Sequence, residues 1–145
     1  DGTYVDSFRS RIFKTQDYRE LVGQWHVQDL FVRWKHTARF TYTEGNWSGT
    51  LSQYYTSSYK DEVPSGVARA PDFNPNVGEY IVYNVSATYT GFKNMTITGG
   101  IKNLLDTDPP FTAHNVDFAG GTAWDPRVAN PRGRAYTLRL TYRFK

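Results

Sequence analysis

The chain has 145 residues, a formal net charge of +3, no cysteine, one methionine, and 4 Trp, 11 Tyr and 9 Phe. That length makes one domain or a piece of one. Absent cysteine excludes disulfide scaffolds, thiolate zinc sites and cysteine nucleophiles, and three scattered histidines, His26, His36 and His114, offer no paired metal-ligand spacing.

So mild a basic balance, with no Lys/Arg stripe to concentrate it, gives no reason to expect nucleic-acid binding. No run approaches the roughly 18–20 apolar residues of a membrane-spanning helix. The opening Asp1-Gly2-Thr3-Tyr4 has neither a basic n-region nor an apolar h-region, so a mature chain or a fragment of a longer one is expected. Negative mean hydropathy still leaves room for a transmembrane β-barrel, whose strands show lipid only their alternate residues.

In chain order, residues 1–33 are the hardest to read. Thr3 to Phe8 and Leu21 to Val27 each suit a short strand, whereas Arg9 to Glu20 is charged without a period; the segment is expected to be a long loop leading into the first strand. Five segments with a period of two follow. Trp34 to Thr43 sets Trp34, Ala38, Phe40 and Tyr42 against Lys35, Thr37, Arg39 and Thr41. Trp47 to Tyr59 alternates less cleanly. Tyr80 to Thr90 sets Ile81, Tyr83, Val85, Ala87 and Tyr89 against Asn84, Ser86, Thr88 and Thr90. Met95 to Leu104 sets Met95, Ile97 and Ile101 against Thr96, Thr98 and Lys102. Arg134 to Phe144 sets Tyr136, Leu138, Leu140, Tyr142 and Phe144 against Thr137, Arg139, Thr141 and Arg143.

The connections fall into two kinds. Glu44-Gly45-Asn46 and Gly91-Phe92-Lys93-Asn94 have hairpin length and turn residues. The stretches 61–79 and 105–133 are long and rich in Pro, Gly and Asn, and loops that long call for a functional explanation. Short and long links alternate, which puts every short turn at one end of the sheet and every long loop at the other.

Period two alone also suits a soluble sandwich. Three features favour lipid against the apolar face. Lys35, Arg39, Lys102, Arg139 and Arg143 all fall on the polar face, with His36 the exception near a strand end. Rings gather at strand ends and aliphatic residues between them, as at a membrane with two wet boundaries. Strands of about 10 residues tilted by about 40° span roughly 25 Å, the height of an outer-membrane apolar band.

Gly99-Gly100-Ile101-Lys102-Asn103-Leu104-Leu105-Asp106-Thr107-Asp108-Pro109-Pro110-Phe111-Thr112, then Asp125-Pro126-Arg127 and Asn130-Pro131-Arg132-Gly133-Arg134-Ala135-Tyr136, resemble the C-terminal end of TonB-dependent outer-membrane receptors. Thr90-Gly91-Phe92-Lys93-Asn94-Met95 and Phe31-Val32-Arg33-Trp34-Lys35-His36 share the resemblance, which covers most of the chain after Phe31. It implies an all-β fold of antiparallel transmembrane β-barrel strands, the last five or six of a 22-stranded barrel, with residues 1–33 on the extracellular side and residues 34–145 forming wall and loops. It implies uptake of a scarce nutrient such as a ferric siderophore. The implied partners are outer-membrane lipid, a plug domain and the remaining strands, TonB through the N-terminal part of the receptor, and the outer-membrane assembly machinery. Tyr136, Leu138, Leu140, Tyr142 and Phe144 would carry the assembly signal, although Lys145 stands where the family usually ends on Phe.

Single residues add little chemistry. Asp106, Asp108, Asp117 and Asp125 suit turns better than a calcium loop. Phe118 and Trp124 are candidate ligand-stacking rings of the long loop. Arg39, Lys102, Arg139 and Arg143 suit a charge-paired barrel interior better than an anion path. No nucleophile elbow or triad spacing is present, so no enzyme activity, cofactor or metal is expected. The rivals are a soluble β-sandwich carbohydrate-binding module and a complete small outer-membrane barrel. A lone open sheet of this kind is expected to aggregate, oligomerise or require detergent.

Overall fold

The computed structural model describes residues 1–11, 13–26, 29–61, 74–113 and 123–144. These residues form an all-β protein without helices, and every strand ladder is antiparallel. The main sheet holds β1 (Gly2–Tyr4), β6 (Trp34–Glu44), β7 (Trp47–Thr56), β10 (Tyr80–Phe92), β11 (Met95–Lys102) and β12 (Ala135–Tyr142), side by side in that order. It is an open sheet, with β1 and β12 at its edges.

All five expected long strands are present, with shifted ends. The second is shorter than the alternation suggested: β7 stops at Thr56, and Tyr59–Lys60 forms β8, paired with β9 (Asn76–Val77) inside the long stretch after Asp61. The other shifts follow from the turns. Glu44 pairs with Trp47 and Phe92 with Met95, so both links are two residues long rather than three or four. Gly45 and Asn94 supply the left-handed backbone these turns need, at φ of 55° and 60°. One extra residue between Tyr89 and Phe92 bulges β10 and absorbs the register slip.

The expectation for residues 1–33 is only partly met. Gly2–Tyr4 joins the main sheet beside β6, and β2 (Arg9–Ser10) pairs with β3 (Arg19–Glu20) within the stretch that showed no period. β4 (Trp25–His26) and β5 (Asp29–Leu30) form another small pair. Strands of two residues are too short to leave a periodic signature.

Register settles the two faces. Directly opposed residues share a face, so Phe40, Leu51, Val85, Ile101 and Tyr136 form one row across the sheet, and Tyr42, Gly49, Ala87, Gly99 and Leu138 the next. On the opposite face the rows are hydroxyl-rich, and Thr41–Thr50 and Thr88–Thr98 hydroxyl pairs lie at 3.0 Å. That face carries Lys35, Arg39, Lys102 and Arg139 and no Asp or Glu along the five long strands.

Among the described residues, no second layer covers the apolar face. Leu138 is 73% exposed and Leu140 63%; Phe40, Tyr42, Trp47 and Leu51 are also exposed, and Val85 and Ile97 are only half-buried. Of the seven buried apolar residues among those described, Leu21, Val22, Trp25, Tyr59, Val77 and Ala129 lie outside the sheet, and Tyr80 belongs to it.

Candidate functional site

The open apolar face is the most distinctive surface, and its composition changes along the strands. At the short-turn end Trp47 meets Tyr89 at 4.7 Å, Tyr89 meets Phe92 at 5.1 Å, and Tyr142 meets Phe144 at 4.9 Å between ring centroids. At the long-loop end stand Tyr4, Trp34, His36, Tyr55 and Tyr83. Between the belts lie Leu51, Val85, Ala87, Ile97, Ile101, Leu138 and Leu140, with Phe40 the one ring among them. The small side chain of Ala87 and the lack of one at Gly99 leave a shallow apolar depression of about 710 Å³ beside Trp47, Tyr89 and Leu138.

The belts run obliquely to the hydrogen-bonded rows. On β6 the long-loop belt begins at Trp34, six residues before Phe40, whereas on β12 Tyr136 already stands in the Phe40 row. The opposite belt drifts the same way, from Tyr42 on β6, one row past Phe40, to Tyr142 on β12, three rows past it. The two belts are therefore level with each other only if the strands are tilted.

His36 breaks the apolar pattern, and its surroundings explain how. Trp34 Nε1–H donates to His36 Nδ1 at 2.8 Å, which leaves the ring's proton on Nε2, facing Gln53 Oε1 at 3.0 Å. Gln53 Nε2 donates in turn to Tyr83 OH at 2.7 Å. His36 also stacks on Tyr55, whose hydroxyl donates to Glu79 at 2.9 Å. This chain of polar tips crosses three strands and satisfies each in turn. With both ring nitrogens engaged, His36 has none left to activate a nucleophile.

Above this rim the loops carry their own small core. Trp25, Tyr59 and Val77 are buried together, with Leu30, Val32 and Val128 packed against them. Burial pushes the Tyr59 hydroxyl up to about 12. Asp61 accepts hydrogen bonds from Thr112 Oγ1 at 2.8 Å and from the Ala113 amide at 2.6 Å. Asp125, 1% exposed, forms an ion pair with Arg127 and accepts the Arg127 amide at 2.9 Å. That carboxylate raises the Arg127 guanidinium above its ordinary value. Tyr80 OH donates to the Asn130 carbonyl and ties this layer to β10. Nearer the start of the chain, Glu20 holds the first loop: the Ser7 hydroxyl and the Phe8 and Val22 amides all donate to it and keep its carboxyl at about 2.

Of the expected site residues, all but Phe118 lie among the described residues. Tyr136, Leu138, Leu140 and Tyr142 project from one face of β12 and are exposed, with Phe144 continuing the series beyond the strand. Trp124 is half-buried in the loop layer beside Asp125, while Phe118 lies outside the described residues, as do His114 and Asp117. Asp106 is a turn residue, at φ 57° with Oδ1 accepting the Arg134 amide at 2.6 Å. Among the described residues, no group of three or more His, Asp or Glu side chains is placed to hold a metal ion. The rim network and the loop core were missed in the sequence. Their only local signal was that His36 and Gln53 are polar residues on apolar-phase positions.

Comparison with protein-family models, with curated proteins and with solved structures produced no match.

Proposed function

We propose that this chain forms the C-terminal wall strands of a TonB-dependent outer-membrane receptor, a transport component rather than an enzyme. The observation that carries the reading is the uncovered apolar face. In water, so large a contiguous apolar surface is a liability; against hydrocarbon it is the stable arrangement. Its two aromatic belts suit two membrane–water boundaries, and their oblique course suits strands tilted as in a closed barrel. The apolar depression at Ala87 and Gly99 is open enough to take a hydrocarbon chain.

In this reading the hydroxyl-rich, cationic face lines the lumen, where Arg39, Lys102 and Arg139 meet carboxylates of a plug domain. The unpaired edges of β1 and β12 join the remaining barrel strands, since an open edge otherwise invites aggregation. The exposed series on β12 serves the assembly machinery as well as lipid. The loop layer stands outside the cell and shares contacts to the nutrient, such as a ferric siderophore, with the plug. TonB acts through the receptor's N-terminal part. The soluble sandwich module is disfavoured because a sandwich needs the second layer that this apolar face lacks. The complete small barrel is disfavoured because β1 and β12 do not pair.

Nitroxide labels placed singly from residue 136 to 142, on the full chain in uncharged maltoside micelles, test the reading. Labels at 138 and 140 should be accessible to oxygen and shielded from an aqueous nickel reagent, and labels at 137, 139 and 141 should show the reverse. Equal aqueous access at both sets overturns it.

A further inference from the structure

One cleft at the long-loop rim has a composition the transport reading leaves unused. It holds about 680 Å³ and is bounded below by Tyr4 and Trp34, at the end of the apolar face, and above by Arg33, Lys60, Gln24 and Asn76. The rings of Tyr4 and Trp34 lie 6.3 Å apart, and Trp34 begins the polar chain through His36 and Gln53. Such rings, apolar in body and polar at the tip, mark the level where hydrocarbon gives way to water. The cations therefore stand at the height of lipid headgroups.

Among the described residues no carboxylate pairs with either cation. Among the described residues the Arg33 guanidinium donates only to the neutral Asp6 carbonyl, at 3.0 Å. Lys60 forms no ion pair there either. Among the described residues no Asp or Glu lines the cleft, and its amide and hydroxyl side chains supply further hydrogen-bond donors. Two cations and several neutral donors around an opening without carboxylates suit a group with several anionic oxygens.

We propose that this cleft binds the phosphate-bearing headgroup of an anionic membrane lipid. The acyl chains of that lipid run down the apolar face past Ala38 and Phe40. The inference rests on the membrane reading above. A free phosphate ion would meet the same cations but would leave the aromatic floor and the face below it unused.

The full chain in uncharged maltoside micelles is offered phosphatidic acid, phosphatidylcholine or inorganic phosphate, and retained lipid is counted by native mass spectrometry. Phosphatidic acid should be retained over phosphatidylcholine by about thirtyfold, one factor for each basic residue at the surface. The double substitution R33Q/K60Q should abolish the preference, R33K/K60R should keep most of it, and Lys93→Gln at the short-turn end should leave it unchanged. Both exposed positions tolerate these changes, and an unchanged circular-dichroism spectrum verifies the fold. A preference that survives R33Q/K60Q, or none at all in a chain that has entered micelles, overturns the headgroup site and leaves the membrane reading standing. Displacement of the lipid by equimolar inorganic phosphate identifies the ligand as a free anion and overturns it too. A chain that never enters micelles overturns both.

Discussion

The six-stranded sheet and the loop layer above it solve the burial problem in opposite ways. The sheet has long, regular ladders and leaves its large apolar side chains open, while the loop layer has strands of two residues yet buries Trp25, Tyr59 and Val77. A water-soluble β-protein does the reverse, keeping its core between sheets and its loops polar. On the membrane reading proposed above, the two regions are built for different surroundings. In the loops, apolar groups are hidden. Where rings flank an aliphatic band, on the sheet, they are displayed.

The contrast can be broken most forcefully from the loop side. Trp25→Ala should cost about 3–5 kcal/mol of local stability, by emptying the centre of the small core. Hydrogen exchange should then quicken at Tyr59 and Lys60, while the amides of β10 and β11 keep their protection. Equal loss in the long strands would mean that the two regions unfold as one unit.

The sheet offers the next largest effect. If the sheet faces lipid as proposed, Leu140→Arg should cost about 2–4 kcal/mol in lipid vesicles, measured by urea unfolding, because the charge would meet hydrocarbon. Thr141→Arg, one residue on and facing the other way, should change stability by about 0.5 kcal/mol at most. Equal costs would erase the distinction between the faces.

A smaller effect sharpens the picture of the first loop. The Glu20 carboxyl is held at about 2, well under its ordinary 4.5, by the Ser7 hydroxyl and the Phe8 and Val22 amides. A depressed carboxylate stabilises the fold fully above its ordinary value, and that stabilisation fades as pH falls from about 4.5 toward 2. Amide signals of Phe8 and Val22 should therefore shift in that window, and Glu20→Gln should abolish the titration while the sheet stays unaffected. A titration unchanged by Glu20→Gln would detach it from this carboxylate.

Much of the sheet was legible in the amino-acid sequence. Val85 and Ser86, or Leu140 and Thr141, take opposite faces because neighbouring residues in a strand always do, and that alternation is written locally. Gly45 and Asn94 marked the tight turns for an equally local reason, the backbone conformation they tolerate. The candidate site was less legible. Tyr136, Leu138, Leu140 and Tyr142 were identifiable from spacing, but nothing near His36 in the chain announces Gln53 or Tyr83.

The sequence by itself determined which residues alternate, where the short turns fall and which face carries the charges, because each depends on a few adjacent residues. Tertiary structure alone decided that Gly2–Tyr4 joins β6, that the aromatic belts run obliquely, and that Arg33 and Lys60 share a cleft. It also decided that Trp25, Tyr59 and Val77 meet. Each of these depends on register or contact between distant segments, and a local pattern holds no information about which distant segment it will meet.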